Sequence, residues 1–141
     1  MKSKILIAYQ DDSWVKELSS LLSDAGYRIE TTKVVSETIR KVRGRDTYVV
    51  LLDDKMEEIK AFDLVPLFKK INSGVQIIVI SSEESIGGVK RLRDAGIFYQ
   101  AMKPIDLEEI RSAVACAFEK IEREQPREAC IPFLIPERVP A

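Results

Sequence analysis

Three residues stand out for the chemistry their types allow: Asp53, Ser81 and Lys103. Each closes or follows a short apolar run: Tyr48-Val49-Val50-Leu51-Leu52 before Asp53, Ile77-Ile78-Val79-Ile80 before Ser81, and residues 97–102 before Lys103. A carboxylate at a strand end can attack phosphorus and form a mixed anhydride. The transferred group spreads negative charge over three oxygens, so a fixed cation and a hydroxyl donor stabilise it. Lys103 would be that cation and Ser81 that donor, with Pro104 stiffening the following loop. A divalent cation would normally supply the remaining positive charge. Other chemistries are excluded by composition. The chain has no histidine, so Ser-His-Asp and Cys-His catalysis, imidazole metal ligation and phosphohistidine formation are all absent. Its two cysteines, Cys116 and Cys130, make neither a zinc site nor a disulfide framework, which points to a reducing cytoplasm.

These residues matter only if the chain brings their strand ends together. The chain has 141 residues, 45% hydrophobic and 32% charged, with a net charge of −1. That suits one soluble domain with no bulk attraction to nucleic acid or anionic membrane. No apolar run is long enough to span a bilayer, and the amino terminus does not read as a signal peptide. Strand-like and helix-like segments alternate. Ile5-Leu6-Ile7-Ala8-Tyr9 reads as a buried strand, residues 27–32 as a second, residues 48–52 and 76–81 as central strands, and residues 97–102 as a fifth.

Helix stripes lie between them. The first is Trp14, Leu18, Leu21, Leu22 and Ala25, with Asp11, Asp12 and Ser13 as possible N-caps and Gly26 as its stop. Here Trp14 reads as core packing. The second is Val35, Ile39 and Val42, closed by Gly44, and the third is Leu64, Leu67, Phe68 and Ile71. Pro66 is comfortable only in a first turn, so the third helix is expected to start near Asp63 or to kink. The fourth, residues 82–95, is weakened by Gly87-Gly88. The fifth carries Leu107, Ile110, Val114, Ala117, Phe118 and Ile121, with Asp106 and Glu109 as a capping box. Such alternation implies an α/β fold: a doubly wound parallel sheet of five strands covered by five helices. Ligands on such sheets bind outside the carboxyl ends of the strands. Tyr9-Gln10-Asp11-Asp12, Asp53-Asp54, Ser81-Ser82 and Lys103-Pro104 all fall there.

From Lys4 to about Ile121 the chain resembles the CheY-like response-regulator receiver domains. Three features carry the resemblance: the strand ending at Asp53, the strand ending at Ser81-Ser82, and Ala95-Gly96 followed after six residues by Lys103-Pro104. It implies a flavodoxin-like sheet of order 2-1-3-4-5. It implies a non-enzymatic phosphoacceptor of a two-component phosphorelay, phosphorylated on Asp53, with Ser81 and Lys103 contacting the phosphoryl group. It also implies Mg2+, held here by Asp53, by Gln10 or Asp11, and by the backbone of Lys55. The chain departs from the family pattern where an acidic pair should follow the first strand. A gapless count places Tyr9 and Gln10 there, with Asp11 and Asp12 one or two places further on. Either Gln10 offers a neutral oxygen or a register shift brings Asp11 in, and Mg2+ binding is expected to be weak. Lys55 follows Asp53-Asp54 and is expected to set a second cation beside Asp53. Gln100 stands where a reporting aromatic is usual, with Tyr99 on the other face.

The domain is expected to span residues 1–121, with residues 122–141 as a proline-rich tail or linker that docks on the domain, leads onward or binds a partner. The resemblance implies a histidine kinase or phosphotransfer protein as donor, and an output protein or output domain outside this sequence. Neither membrane nor direct nucleic-acid binding is expected. Lys90, Arg91 and Arg93 read as a solvated face or as a partner surface. They could meet Asp106, Glu108 or Glu109 of a second copy in a weak homodimer through the fourth helix, fifth strand and fifth helix. The alternative reading is a degenerate receiver that docks proteins without phosphorylation, favoured by Tyr9-Gln10. Ser81 with Glu84 also fits a capping box, a role compatible with the functional one.

Overall fold

The computed structural model describes residues 4–44, 46, 49–82 and 85–124. Strands β1 (Lys4–Ala8), β3 (Val49–Asp53) and β6 (Gln76–Ser81) are buried along their whole length. Their runs are apolar on both faces, as a strand covered on both sides requires. Strands β2 (Arg28–Thr32) and β7 (Tyr99–Met102) are more exposed and form the edges. The five pair in parallel in the order β2-β1-β3-β6-β7. This is the anticipated order, because β4 (Lys55–Met56) and β5 (Ile59–Lys60) form a separate antiparallel hairpin. That hairpin was not anticipated.

The period of two along each strand divides the core. Ile5, Ile7, Val49, Leu51, Ile78 and Ile80 pack against α1 (Val15–Asp24) and α5 (Leu107–Glu124). Leu6, Ala8, Val50, Leu52, Ile77 and Val79 pack against α2 (Val35–Arg43), α3 (Ala61–Ile71) and α4 (Ile86–Ala95). The two chain reversals after α1 and α4 use Gly26 and Gly96 at φ of 101° and 102°, a left-handed geometry that disfavours other residues.

Several element boundaries differ from expectation. Helix α3 begins at Ala61, which places Pro66 inside it rather than in its first turn. An interior proline costs about 3 kcal/mol. Ala61, Leu64, Val65 and Phe68 are all buried, and full burial of a large apolar side chain contributes about 1.5–3 kcal/mol each, so packing wins over propensity. Leu67, expected on the buried stripe, is 39% exposed. Helix α4 begins at Ile86 instead of Ser82, because Ser85 caps it by accepting from the Gly88 N–H at 3.0 Å. A 3-10 turn over Asp12–Trp14 precedes α1, with Asp11 accepting from the Ser13 N–H. At α5, Asp106 accepts from the Glu108 and Glu109 N–H groups, but the Glu109 carboxylate is taken by the Tyr99 hydroxyl, so the capping box is only half formed. Helix α5 continues to Glu124. Tyr48, Glu84, Cys130 and the proline-rich tail lie outside the described residues.

Candidate functional site

The sheet itself assembles the site. Ala8 pairs with Leu52, which sets Tyr9 beside Asp53 at the strand ends. Beyond the last rung of β7, the Lys103 N–H donates to the Ser81 carbonyl at 3.0 Å. That bond aims the Lys103 side chain back across the sheet end. The following Lys103-Pro104 peptide bond is cis. Asp53 is 1% exposed.

Five donors surround the Asp53 carboxylate. Oδ1 accepts from the Lys103 ammonium at 2.9 Å and from the Asp54 N–H at 3.1 Å. Oδ2 accepts from the backbone N–H groups of Gln10 and Asp11 at 2.9 and 2.8 Å, and from the Trp14 indole at 3.4 Å. Consecutive backbone N–H groups of this kind make an anion-holding concavity. Lys103 also lies 3.1 Å from Asp11 and 3.9 Å from Asp54, so three carboxylates share one ammonium. Burial draws the Lys103 pKa down, but the hydrogen bonds to Asp53 and Asp11 and the charges of Asp53 and Asp54 outweigh it. The net shift is upward from the ordinary lysine value. Asp11 is held down to about 2, first by the Ser13 backbone and hydroxyl donors and then by Lys103.

The expected residues are therefore only partly brought together. Asp53, Asp11 and Lys103 meet through side chains. Gln10 meets Asp53 through its backbone, while its side-chain oxygen accepts from the Glu57 N–H at 2.7 Å. Ser81 is fully buried and lines a cleft of about 320 Å³ with Asp54, Lys55, Lys60, Phe62 and Ser82. The Lys55 ammonium points to Glu58 at 3.9 Å, and among the described residues Lys103 is the cation paired with Asp53. Gln100 is half-buried and donates to the Met102 sulfur, while Tyr99 is exposed and donates to Glu109. Burial and the bond to Glu109 both raise the Tyr99 pKa, the bond being the larger cause.

Two residues went unread. Trp14 is a core residue, as expected, but it also donates to Asp53. The signal was the Asp11-Asp12-Ser13 capping run before it, which turns the chain so that the indole lies back over the strand end. Asp54 braces two loops, accepting from the Ser82 N–H at 3.3 Å and, through its carbonyl, from the Ala61 N–H at 2.9 Å.

A family model described as the response regulator receiver domain matches residues 5–115. The chain belongs to that family. The receiver is 31% identical over 113 residues to the DNA-binding transcriptional regulator NtrC of Bradyrhizobium sp. (strain RP501 Parasponia), which covers 80% of this chain and 24% of the relative. It is 30% identical over 110 residues to the protein of that name in Azospirillum brasilense, which covers 78% and 23%. The receiver thus spans only about a quarter of the length of the curated relatives it matches. Among solved structures, a CheY-like receiver domain from Methanospirillum hungatei JF-1 superposes with a TM-score of 0.81 at 20% identity, covering 89% of this chain and all of that one. A beryllofluoride-activated NtrC4 receiver domain dimer gives 0.77 at 23% identity, covering 84% and 98%. These two likenesses show the fold.

Receiver domains are in general non-enzymatic phosphoacceptor modules that work with histidine kinases and output domains, and they typically take Mg2+ in an acidic pocket. The side-chain oxygens of Asp53, Asp11 and Gln10 all carry hydrogen bonds within the protein. Both Asp53 oxygens carry N–H donors, Asp11 gives one oxygen to Ser13 and the other to Lys103, and Gln10 gives its oxygen to Glu57. No group of three or more His, Cys, Asp or Glu among the described residues is placed to hold a metal. The donor set does not fit a divalent cation as it stands. Among the described residues no helix is long and apolar enough to cross a membrane.

Proposed function

We propose that this receiver accepts a phosphoryl group on Asp53 from a phosphohistidine of a histidine kinase or phosphotransfer protein. One observation supports this reading above others: a buried carboxylate at the carboxyl end of the central strand, 2.9 Å from the ammonium of Lys103. An Asp53 oxygen attacks phosphorus, the phosphorus–nitrogen bond of the donor breaks, and the electron pair returns to the donor imidazole. Lys103 then offsets charge on the phosphoryl oxygens, and the Ser81 hydroxyl at the neighbouring strand end donates to them. The receiver unit extends through α5 to Glu124, three residues past the expected boundary at 121, and its output lies with a partner protein or a further domain. Incubation with a small phosphodonor followed by intact-mass measurement tests the reading, and one added phosphoryl group per chain is expected.

A second reading is a receiver that docks partners without phosphorylation. It is favoured by Tyr9 and Gln10 in place of two acids and by the occupied state of both Asp53 oxygens. Absence of label after prolonged incubation, with an intact fold, selects it.

A homodimer through α4, β7 and α5 should be weak. Lys90 already pairs with Asp94 at 3.0 Å, Arg91 lies 4.2 Å from the Phe62 ring centroid, Glu108 pairs with Arg111 at 2.8 Å, and Glu109 accepts from Tyr99. Intermolecular pairs must compete with these, and exposed pairs contribute only about 0–1 kcal/mol each. Sedimentation equilibrium should show association at low salt that vanishes as the Debye length falls to about 3 Å near 1 M salt. A monomer at high protein concentration and low salt removes the dimer.

A further inference from the structure

We infer that a cage of N–H donors, completed by the Trp14 indole and the Lys103 ammonium, holds Asp53 where a receiver would otherwise hold Mg2+, and that this closes the site to the metal. The inference deepens the reading of Asp53 as the phosphoacceptor and rests on it. A carboxylate offers about four lone-pair positions, and Asp53 meets five donors. A divalent ion entering there would have to displace part-buried donors and the buried Trp14 indole, whose N–H would be left without an acceptor.

The two positions where an acidic pair would stand have other duties. Tyr9 packs edge-on against Trp14, with ring centroids 6.4 Å apart and planes at 78°. Its other neighbour is the Lys33 ammonium, 5.4 Å from the ring centroid, and Lys33 is held in turn by Asp12 at 3.3 Å. Tyr9 therefore props the indole whose N–H reaches Asp53 Oδ2. Trp14 is 4% exposed, and a buried indole N–H requires an acceptor. Gln10 turns its side chain away from Asp53 and clamps the hairpin through Glu57, whose carboxylate accepts from the Val35 N–H at 2.9 Å. Asp11, the remaining acid of the strand end, caps the 3-10 turn and shares Lys103. Trp14 is thus a positioning residue. It fixes Oδ2 and leaves Oδ1, beside Lys103, as the attacking oxygen. With phosphoramidate protonated on nitrogen as donor, the Oδ1–phosphorus bond forms, the phosphorus–nitrogen bond breaks, and neutral ammonia leaves with the electron pair. Oδ2 becomes the carbonyl oxygen and keeps its N–H donors.

The test uses the full chain labelled with nitrogen-15 and titrated with MgCl2 alone, against NaCl of equal ionic strength. The resonances followed are the Trp14 indole N–H and the Gln10, Asp11 and Asp54 amides. The expected result is no saturable Mg2+ response. Asp53→Asn should shift the indole N–H strongly, which a purely structural tryptophan would not show. The double variant Tyr9→Asp/Gln10→Asp should acquire a saturable Mg2+ response. A saturable response of the wild-type resonances, or an indole N–H indifferent to Asp53→Asn, overturns the inference. Labelling with phosphoramidate in EDTA and in Mg2+ separates the two readings. Equal rates support the cage, and a rate tenfold or more higher in Mg2+ overturns it while leaving Asp53 as acceptor. No label in either, with Mg2+ silent, supports closure of the site to the metal and fells the phosphoacceptor reading together with the role of Oδ1.

Discussion

Asp53→Asn is expected to reduce acyl-phosphate formation to background, with every other carboxylate left in place. The neighbours explain why no other acid should substitute. Asp54 is 3.9 Å from Lys103 and gives its Oδ2 to the Ser82 N–H. Asp11 is 3.1 Å from Lys103, but its carboxylate is also the cap of the 3-10 turn. Among the described residues only Asp53 is a buried carboxylate with a direct ammonium contact at the end of the central strand. An amide at this position is a poor nucleophile, and its NH2 group would face either the Lys103 ammonium or the backbone N–H groups of Gln10 and Asp11. The reaction in the native protein should be slow, because Tyr9 and Gln10 offer no carboxylate beside Asp53, so label must be followed for hours by intact mass. Label that survives Asp53→Asn would place the acceptor elsewhere.

Lys103→Ala is expected to lower unfolding free energy by about 3 kcal/mol while leaving the sheet intact, because it strips the counter-ion from a buried charge. Four N–H donors still reach Asp53 in the variant, and they keep the loss from being larger. Urea titration across pH checks the origin of the effect. The Lys103 pKa is raised on folding, so its contribution is complete below the unfolded value of 10.5 and is lost as pH rises through the folded one. The gap between native and variant should therefore be flat across neutral pH and narrow in strong alkali. Acid behaves differently. Asp11 falls from 3.8 to about 2 on folding, so its contribution is present above 3.8 and lost as pH drops toward 2. The Ser13 bonds are its leading cause, so most of that acid branch should persist without Lys103. A gap that stays constant in alkali would mean that packing of the lysine stem, rather than its charge, carries the effect.

The sheet and the Asp53–Lys103 pair were legible because both depend on periods and counts. Uninterrupted apolar runs mark strands buried on both sides, and parallel strands bring their carboxyl ends together. Trp14 was harder, since the apolar stripe that starts α1 and the donor to Asp53 are the same residue, and periodicity sees only the stripe. The Gln10 clamp joins residues 47 apart in the chain through one side-chain oxygen, which no local pattern encodes. The hairpin gave no signal because its turn residues, Glu57 and Glu58, sit at φ of 50° and 70°, where Asn and Gly are the expected occupants. The start of α4 was misplaced because Ser81 with Glu84 fits a capping box, whereas Ser85 is the cap that forms, and the start of α3 because a buried stripe overrode the proline rule.

The stretch that follows Asp53 has almost no slack. Asp54 donates to Asp53 at one end and accepts from Ala61 at the other, and Lys55–Met56 folds directly back on Ile59–Lys60 through the Glu57-Glu58 turn. That turn is pinned twice more, to Gln10 and to Val35. Chain length is therefore fixed here to the residue. Tolerance of an inserted residue depends on the hydrogen bonds it breaks, and one placed between Asp54 and Ala61 would sever either the ring closure onto α3 or the link to the first strand. Tags, linkers and grafted peptides belong elsewhere on this receiver. The segment beside the acceptor works as a spacer of set length, holding α3 at one distance from Asp53.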